Sequence, residues 1–528
     1  MFRQRLVNFL HFYQPYNQQE DILDRIVNES YRPLVQGLQE RPEVKLVINA
    51  SGVLIKLLVD KGYDDVVKGF SNLLDRGNTE FTASAMYHAF LPLLPKDEVL
   101  RQIDVDMEIS KKYLSPKFDP IGFFSPEMAI NSYIADVISE YGFKWVPAAQ
   151  VAYGNEVITP DKLFKIKGTK LHVFFRNKRV STLMLSALSR TPKDFIEDTA
   201  DIHSPDTYWF TVMDAETYGH HRIGHEKFFF GVVDNNFFET MTVTELLNTY
   251  TEVEEVELRP STWTNEEQDF WLDKDHKEFT DAKSFVLWKD STNKVHNLQW
   301  ELTNYVIDTV NSYENKNLQS WKDAREILDE AVASDQFWWA SAKPWWSLEM
   351  IEQGAYTLLQ VLKTLGISGT QLQHADNIYR RILDQAFEWQ RNGYIRKRHL
   401  DASSTYMKKP FKERAPIDWY NHIITEFEDE MKKAAEEKQF EKAVKWRDAI
   451  IKLHTGTDIY DILHVVDELW SVRTLPTLRH FLLRNWDDFS DYAKQYFLHI
   501  YNAEDFEKFK LDSKDLIDEI KRKHPESS

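Results

Sequence analysis

The sequence predicts an α/β fold built on a parallel sheet over roughly its first 300 residues, followed by an all-helical region. Short β-type runs alternate with amphipathic helical stretches up to about residue 296, and beyond it helical periodicity is nearly continuous. Polar and aromatic residues collect where the β-type runs end, which is where a parallel barrel carries its functional groups.

The elements follow in order. Residues 5–12, 44–48, 79–84, 121–124 and 209–213 read as strands. Residues 21–40, 64–76, 97–113 and 132–141, lying between them, carry apolar side chains at i, i+3 and i+4 and read as helices. Alternating units of this kind imply parallel strands covered by helices. Residues 297–313, 320–334, 344–365 and 371–391 read as helices, with Pro344 in a first turn, where its missing N–H costs nothing. Gly393 and the stretch 401–416, with Pro410 and Pro416, mark a boundary before further helix over 427–453 and 460–521. The division expected is a barrel over 1–296, a helical domain on its mouth over 297–416, a hairpin over 417–456 and a helical C-terminal region over 457–528.

Composition narrows the chemistry. With 65 basic and 84 acidic side chains the 528-residue chain has a net charge of -19, the wrong field for a general nucleic-acid or anionic-membrane binder. The chain has no cysteine, which removes disulfides, thiolate metal sites and thiol nucleophiles. No run is long enough to span a membrane, and residues 1–15 lack the pattern of a secretory signal, so a cytoplasmic protein is expected. The 16 Trp, 23 Tyr and 33 Phe must fill cores or line a binding surface.

Three motifs stand at strand ends. His11-Phe12-Tyr13-Gln14-Pro15 places a His and a Gln before a proline turn, either as hydrogen-bonding groups at a barrel mouth or as turn structure. In Gly122-Phe123-Phe124-Ser125-Pro126-Glu127 a carboxylate follows an apolar strand among aromatics; it is a functional acid or a first-turn helix residue favoured by the dipole. Asp214-Ala215-Glu216-Thr217-Tyr218-Gly219-His220-His221 gathers two acids and two histidines at one strand end, where structure alone has little use for them. Two acids from two strand ends match glycoside hydrolysis. A metal hydrolase is the competing chemistry: His221 and His225 at i, i+4 could join Asp214 around an ion if a helix ran through Gly224.

Together these segments resemble glycoside hydrolase family 57. His11 to Pro15, Tyr87-His88, Gly122 to Glu127, Asp214 to His221 and Trp288 to His296 look like its five conserved regions in order, and the Trp-rich 334–347 resembles the helical segment that follows the barrel in its amylase-like branch. The resemblance implies a (β/α)7 barrel and retaining, metal-free and cofactor-free action on α-glucans or maltooligosaccharides. It puts Glu127 in the nucleophile's position, ionised, and Asp214 in the acid/base position, protonated, with His11, Gln14, His88, Glu216 and His221 lining the site. The chain departs from the pattern at Tyr13, where a second His is usual, and at Ala215, where a Gly is usual. Nine of the 16 tryptophans fall between Trp263 and Trp346. Sugar faces stack on such rings, so Trp288, Trp338, Trp339 and Trp345 are candidate platforms, with core packing as the alternative.

Residues 427–453, rich in Glu, Lys and Ala, predict an αα-hairpin closed by Met431, Ala434, Ala435, Phe440, Ala443, Ile450 and Leu453. Through Ala434-Ala435, Phe440-Glu441, Ala443 and Arg447-Asp448 it resembles the UVR motif of bacterial excision-repair and stress-regulatory proteins, which implies a protein partner; a solvated brace is the plainer reading. The expected function is therefore an α-amylase-like retaining hydrolase. A 4-α-glucanotransferase or branching enzyme on the same site is the alternative, and a non-catalytic glycan-binding regulator is the alternative of another class.

Overall fold

The computed structural model describes residues 3–153, 160–185, 189, 191–222, 224–264, 281–400, 412 and 417–455, and towards the C-terminus 483, 486–488, 494, 498 and 503–514. Its strands are β1 Gln4–Phe12, β2 Leu46–Ala50, β3 Thr79–Ala83, β4 Gly122–Phe123, β5 Trp145–Ala149, β6 Leu163–Ile166, β7 His172–Arg176, β8 Tyr208–Asp214, β9 Phe238–Thr240 and β10 Val253–Val256. They form one sheet in the order β10-β6-β7-β5-β4-β3-β2-β1-β8, with β9 pairing beside β1.

The sheet curls until β8 meets β7. No ladder joins these two strands, but the Asn177 N–H donates to the Phe210 carbonyl at 2.7 Å and Arg176 Nε to the Val212 carbonyl at 2.8 Å. The wall β1-β2-β3-β4-β5-β7-β8 is thus a distorted seven-stranded parallel barrel, and β6, antiparallel to β7, lies outside it with β10. Alternation along the strands sorts the core. Val7 and Phe9 of β1, Val47 of β2 and Tyr208, Phe210 and Val212 of β8 fill the barrel with Phe124, Trp145 and Phe174. Leu6, Leu10, Phe12, Leu46, Ile48, Trp209 and Met213 face the surrounding helices instead. Trp145 is bulky enough that β4 must pass it with a glycine: a Cβ on Gly122 would lie 2.3 Å from the indole.

The predicted helices appear as Glu20–Ile26 continuing through a π turn to Gln39, Asp64–Arg76, Lys96–Tyr113 and Ser132–Tyr141. Sequence reading missed β5 and β7, the first interrupted by Pro147 and the second only five residues long, and the helix Gly52–Asp60. The second half is helical as expected, with Lys294–Asn311, Gln319–Ala331, Leu348–Thr364 and Gly369–Arg391. Pro344 is not in a first turn: it follows a cis peptide bond in the loop before Leu348–Thr364, and Ser347 caps that helix by accepting from the Met350 N–H. Buried charges join the halves. Arg325 donates to both carboxylate oxygens of Glu98 at 2.9 and 2.6 Å and to Asp329 at 3.0 Å, and Arg101 grips Asp329 from the barrel side at 2.6 Å.

Helices Ile417–Glu436 and Phe440–Thr455 pair as the predicted hairpin, around Tyr420, Ile424, Phe427, Ala434, Trp446, Ala449, Ile450 and Leu453. Phe440 and Ala435 are not part of that seam. Trp446, Ala449, Ile450 and Leu453 set the packed face, and a residue six positions before Trp446 points about 120° away from it, leaving Phe440 62% exposed. Ala435 is exposed one position beyond buried Ala434. The boundary loop 401–416 and most of the helix expected over 460–521 lie outside the described residues; the helix Phe506–Asp512 buries Phe509 in the outer barrel core.

Candidate active site

The alternation that fills the barrel also delivers its mouth residues. On β1 the inward series Val7, Phe9 continues to His11, and on β8 Tyr208, Phe210, Val212 continues to Asp214; His11 and Asp214 stand opposite each other in the parallel register. Asn49 follows Val47 in the same way on β2. Its Nδ2 donates to Thr82 Oγ1 at 3.1 Å, so its Oδ1 accepts from His11 Nδ1 at 2.8 Å. His11 Nε2 is left as a buried acceptor with no partner among the described residues. The ring stacks on Phe124 at 4.4 Å.

Glu127 arrives by a strained route. Glu127 and Met128 have φ of 60° and 49°, a left-handed conformation that non-glycine residues adopt at a cost and that clusters at functional sites. The strain is held from outside: the Ile130 and Ser261 backbones exchange hydrogen bonds at 3.0 Å, and the Trp263 N–H donates to the Glu127 carbonyl at 3.1 Å. Trp263 Nε1 then donates to Glu127 Oε2 at 2.7 Å.

Gln14 turns back under this layer. Its Nε2 donates to Glu216 Oε1 at 2.9 Å and to Tyr31 Oη at 3.1 Å, while Glu216 Oε2 is buried without a partner among the described residues. His221 lies on the exposed rim, its N–H bonded to the Glu216 carbonyl at 2.8 Å. The metal reading fails on this geometry. Gly224 has φ 78° and the helix starts only at His225, whose Nε2 meets the Met184 carbonyl at 2.6 Å, so the two histidines share no helical face. No group of three or more His, Asp or Glu that could hold an ion occurs among the described residues.

The helical region completes the mouth. Tyr13 Oη donates to Asp335 Oδ2 at 2.5 Å and stacks on His88 at 3.9 Å; His88 Nδ1 meets Ser334 Oγ at 3.1 Å. The chain then enters the Trp-rich segment, where Trp338, Trp339 and Trp345 are half-buried and packed on one another at 4.6 to 5.7 Å. The Nε1 atoms of Trp338 and Trp345 have no partner among the described residues. Trp288 is different from these three and from the expectation placed on it. It is wholly buried against Phe90, with ring centroids 4.4 Å apart, and its carbonyl accepts from Trp300 Nε1, so it is core. His296 is likewise structural: its Nε2 donates to the Phe337 carbonyl at 2.8 Å, bracing the Trp-rich segment from behind.

Burial dominates the electrostatics. It pushes the Glu127 carboxyl up to about 8, with the charges of Asp214 and Asp335 adding to the rise and the Trp263 hydrogen bond opposing it. It pushes Asp214 up to about 6, countered by the Arg176 guanidinium, and Glu216 well above the usual carboxylate range with help from Asp214. Among the described residues the guanidinium acting on this pair is that of Arg176, on Asp214's side, and it works against the expected placement of the proton on Asp214. Burial also lowers His11 to about 4 and His88 further, so both rings are neutral hydrogen-bonding groups near pH 7.

Sequence reading missed Trp263, Asp335, Arg176 and Asn49. Asn49 and Arg176 lie on the inward side of strand ends and could have been found by extending the alternation; Trp263 reaches the site from a loop and Asp335 from the start of the short helix Asp335–Trp338, both distant in sequence, which periodicity does not register.

Inward acids at the ends of a seven-stranded barrel, tied to a helical appendage through Tyr13 and Asp335, are an arrangement that two-carboxylate chemistry on a sugar can use. Residues 2–259 match the profile of glycosyl hydrolase family 57, and residues 423–455 match the UvrB/uvrC motif. The chain is 25% identical over 161 residues to the alpha-amylase of Pyrococcus abyssi, covering 30% of this chain and 24% of that one. It is 23% identical over 264 residues to the 4-alpha-glucanotransferase of Thermococcus litoralis, covering 46% and 39%. The crystal structure of that glucanotransferase superposes with a TM-score of 0.54 at 19% identity over 69% of this chain and 60% of that one. A family 57 branching enzyme from Thermococcus kodakaraensis superposes with a TM-score of 0.54 at 16% identity over 72% and 95%. The chain thus spans between a quarter and two fifths of the length of these curated relatives.

Proposed function

We propose that this protein cleaves or transfers α-1,4-glucan chains by a retaining, two-carboxylate mechanism. The observation that carries the proposal is the pair of half-buried acids, Glu127 and Asp214, brought by two strand ends into one field with Glu127 in a strained conformation. Among the described residues no helix is long and apolar enough to cross a membrane. A cytoplasmic site of action remains part of the proposal and rests on the cysteine-free composition.

In the first step Glu127 attacks the anomeric carbon, the glycosidic C–O bond breaks, and Asp214 gives its proton to the departing oxygen. In the second, Asp214 takes a proton from water or a sugar hydroxyl, whose oxygen attacks the same carbon and releases Glu127. The pair must therefore carry one proton, placed on Asp214. Donation from Trp263 to Glu127 favours that placement; Arg176 beside Asp214 opposes it. His11 and His88, held neutral, and Gln14 with Glu216 supply hydrogen bonds to sugar hydroxyls, and Trp338, Trp339 and Trp345 supply stacking faces. His221, at the rim, meets the chain as it leaves. On this reading 1–296 is the catalytic barrel and 297–416 the wall of its mouth.

The transferase reading is favoured by the segment 334–345, whose Asp335 bonds Tyr13 and acts on Glu127: a wall there would exclude water and let an acceptor sugar compete for the intermediate. The product profile from maltoheptaose decides. Shorter sugars alone mean hydrolysis, longer ones mean transfer, and new α-1,6 branches on a longer glucan mean branching; saturable binding without new products overturns the catalytic reading in favour of a glycan-binding regulator. The hairpin is proposed to engage a protein partner through Phe440, Val444 and Ile451, which leave 62%, 42% and 54% of their surface exposed along one side of their helix. Loss of capture on changing all three to Ser tests this.

A further inference from the structure

The helical stretch Glu20–Gln39 is continuous apart from one π turn, Val27–Tyr31. Such inserted turns frequently accompany functional sites because they swing side chains out of the regular register. Here the π turn faces the segment 214–221 and holds it at several points. Ser30 Oγ donates to the Ala215 carbonyl at 2.9 Å. His220 Nδ1 meets Glu29 Oε2 at 2.6 Å. Tyr31 Oη accepts from the same Gln14 that donates to Glu216. Gly219, at φ 114°, lies so close that a Cβ would fall 1.9 Å from the Glu29 carbonyl oxygen. Glu29 and His220 have no place in the chemistry itself, yet they pin the turn that begins with Asp214.

We propose that Glu29 and His220 form a latch that positions the Asp214 turn for both steps of the reaction, an inference that rests on the glucan-cleaving or glucan-transferring reading. Asp214 gives a proton in the first step and takes one in the second, so it must hold one place while the intermediate forms and breaks. Misplacement of a reacting group by about 1 Å costs on the order of 100-fold in rate. The two residues are positioning residues: neither meets the sugar.

The test is kinetics on maltoheptaose together with amide hydrogen exchange over 214–221. Glu29→Ala and His220→Ala should each lower kcat by about 10- to 100-fold with KM little changed, and the double variant should be no worse than either alone, as for two halves of one contact. His220→Asn keeps an N–H at the place of Nδ1 and should recover most of the loss. Arg25→Ala removes the other group near the Glu29 carboxylate, 3.5 Å away on the outer side, and should leave kcat unchanged. Exchange over 214–221 should quicken in Glu29→Ala. Full kcat in both alanine variants, additive losses, or unchanged exchange overturns the latch. If the wild-type protein turns over no glucan, the functional reading fails by itself, and exchange alone decides the latch: quickened supports it, unchanged overturns it.

Discussion

Two clusters of charged side chains among the described residues, one buried and one half-buried, are finished differently. Between helices Lys96–Tyr113 and Gln319–Ala331, Glu98 and Asp329 face Arg325 and Arg101, and all four carboxylate oxygens accept hydrogen bonds. At the barrel mouth, Glu127, Asp214, Glu216 and Asp335 gather with Arg176 as the one guanidinium acting on Asp214; Glu216 Oε2 and His11 Nε2 are without partners among the described residues, and Glu127 sits in a strained backbone. The first cluster holds two parts of a fold together. The second crowds four carboxylates round one guanidinium at a strained turn, a concentration of like charge that favours function over stability.

That contrast can be broken experimentally. Glu127→Ala should lower turnover of maltooligosaccharides by about 1000-fold or more while leaving the fold intact, read by reducing-end release and by circular dichroism. At the seam the reverse should hold. Arg325→Met leaves Glu98 without its main partner and should cost about 3 to 5 kcal/mol in denaturant unfolding, with kcat normal in the molecules that stay folded; replacing Glu98 and Asp329 by Leu in the same variant should restore much of the loss. Trp339→Ala should raise KM by about 2- to 10-fold with little change in kcat, the range expected for one lost stacking face.

The titration of the pair sharpens the contrast. Activity needs one proton on Glu127 and Asp214 together, so kcat/KM should fall on the acid side through about 6, where both are protonated, and on the alkaline side through about 8, where both ionise. Trp263→Phe removes a hydrogen bond that favours the Glu127 anion, so ionising Glu127 becomes harder and the profile should move to higher pH. Stability should fall steadily over a range where activity passes through its maximum. The folded protein holds the Glu127 carboxyl at about 8 against an ordinary 4.5, so the penalty for burying it is absent below about 4.5, grows between 4.5 and 8 as the unfolded chain ionises, and is complete above 8. Glu127→Gln should therefore match the wild-type melting temperature near pH 4 and exceed it by a few degrees above pH 8.

Much of this was legible in the sequence where local pattern carries the information. Alternation along 5–12 and 209–213 anticipates the strands, and the acids at their ends were visible because Asp214 and Glu127 directly follow apolar runs. Strand β5 escaped because Pro147 interrupts it, and β4 shrank to two residues because the chain must bend to place Glu127. Trp263 and Asp335 were invisible as site residues because they reach the mouth across 136 and 322 residues of separation. Trp288 shows the converse: an aromatic in a motif-like segment turned out to be core, since burial against Phe90 leaves no face for a sugar. The identity of the ionised acid also depends on Arg176, whose distance from Asp214 no local pattern encodes.

The most direct test is proton NMR of the reducing end newly formed when maltoheptaose is cleaved, before mutarotation scrambles the anomers. Attack by Glu127 followed by attack on its ester inverts the anomeric carbon twice, so the α-anomer should appear first and Glu127→Ala should release none. Initial release of the β-anomer, or full turnover by Glu127→Ala, would contradict a covalent mechanism centred on Glu127 and Asp214.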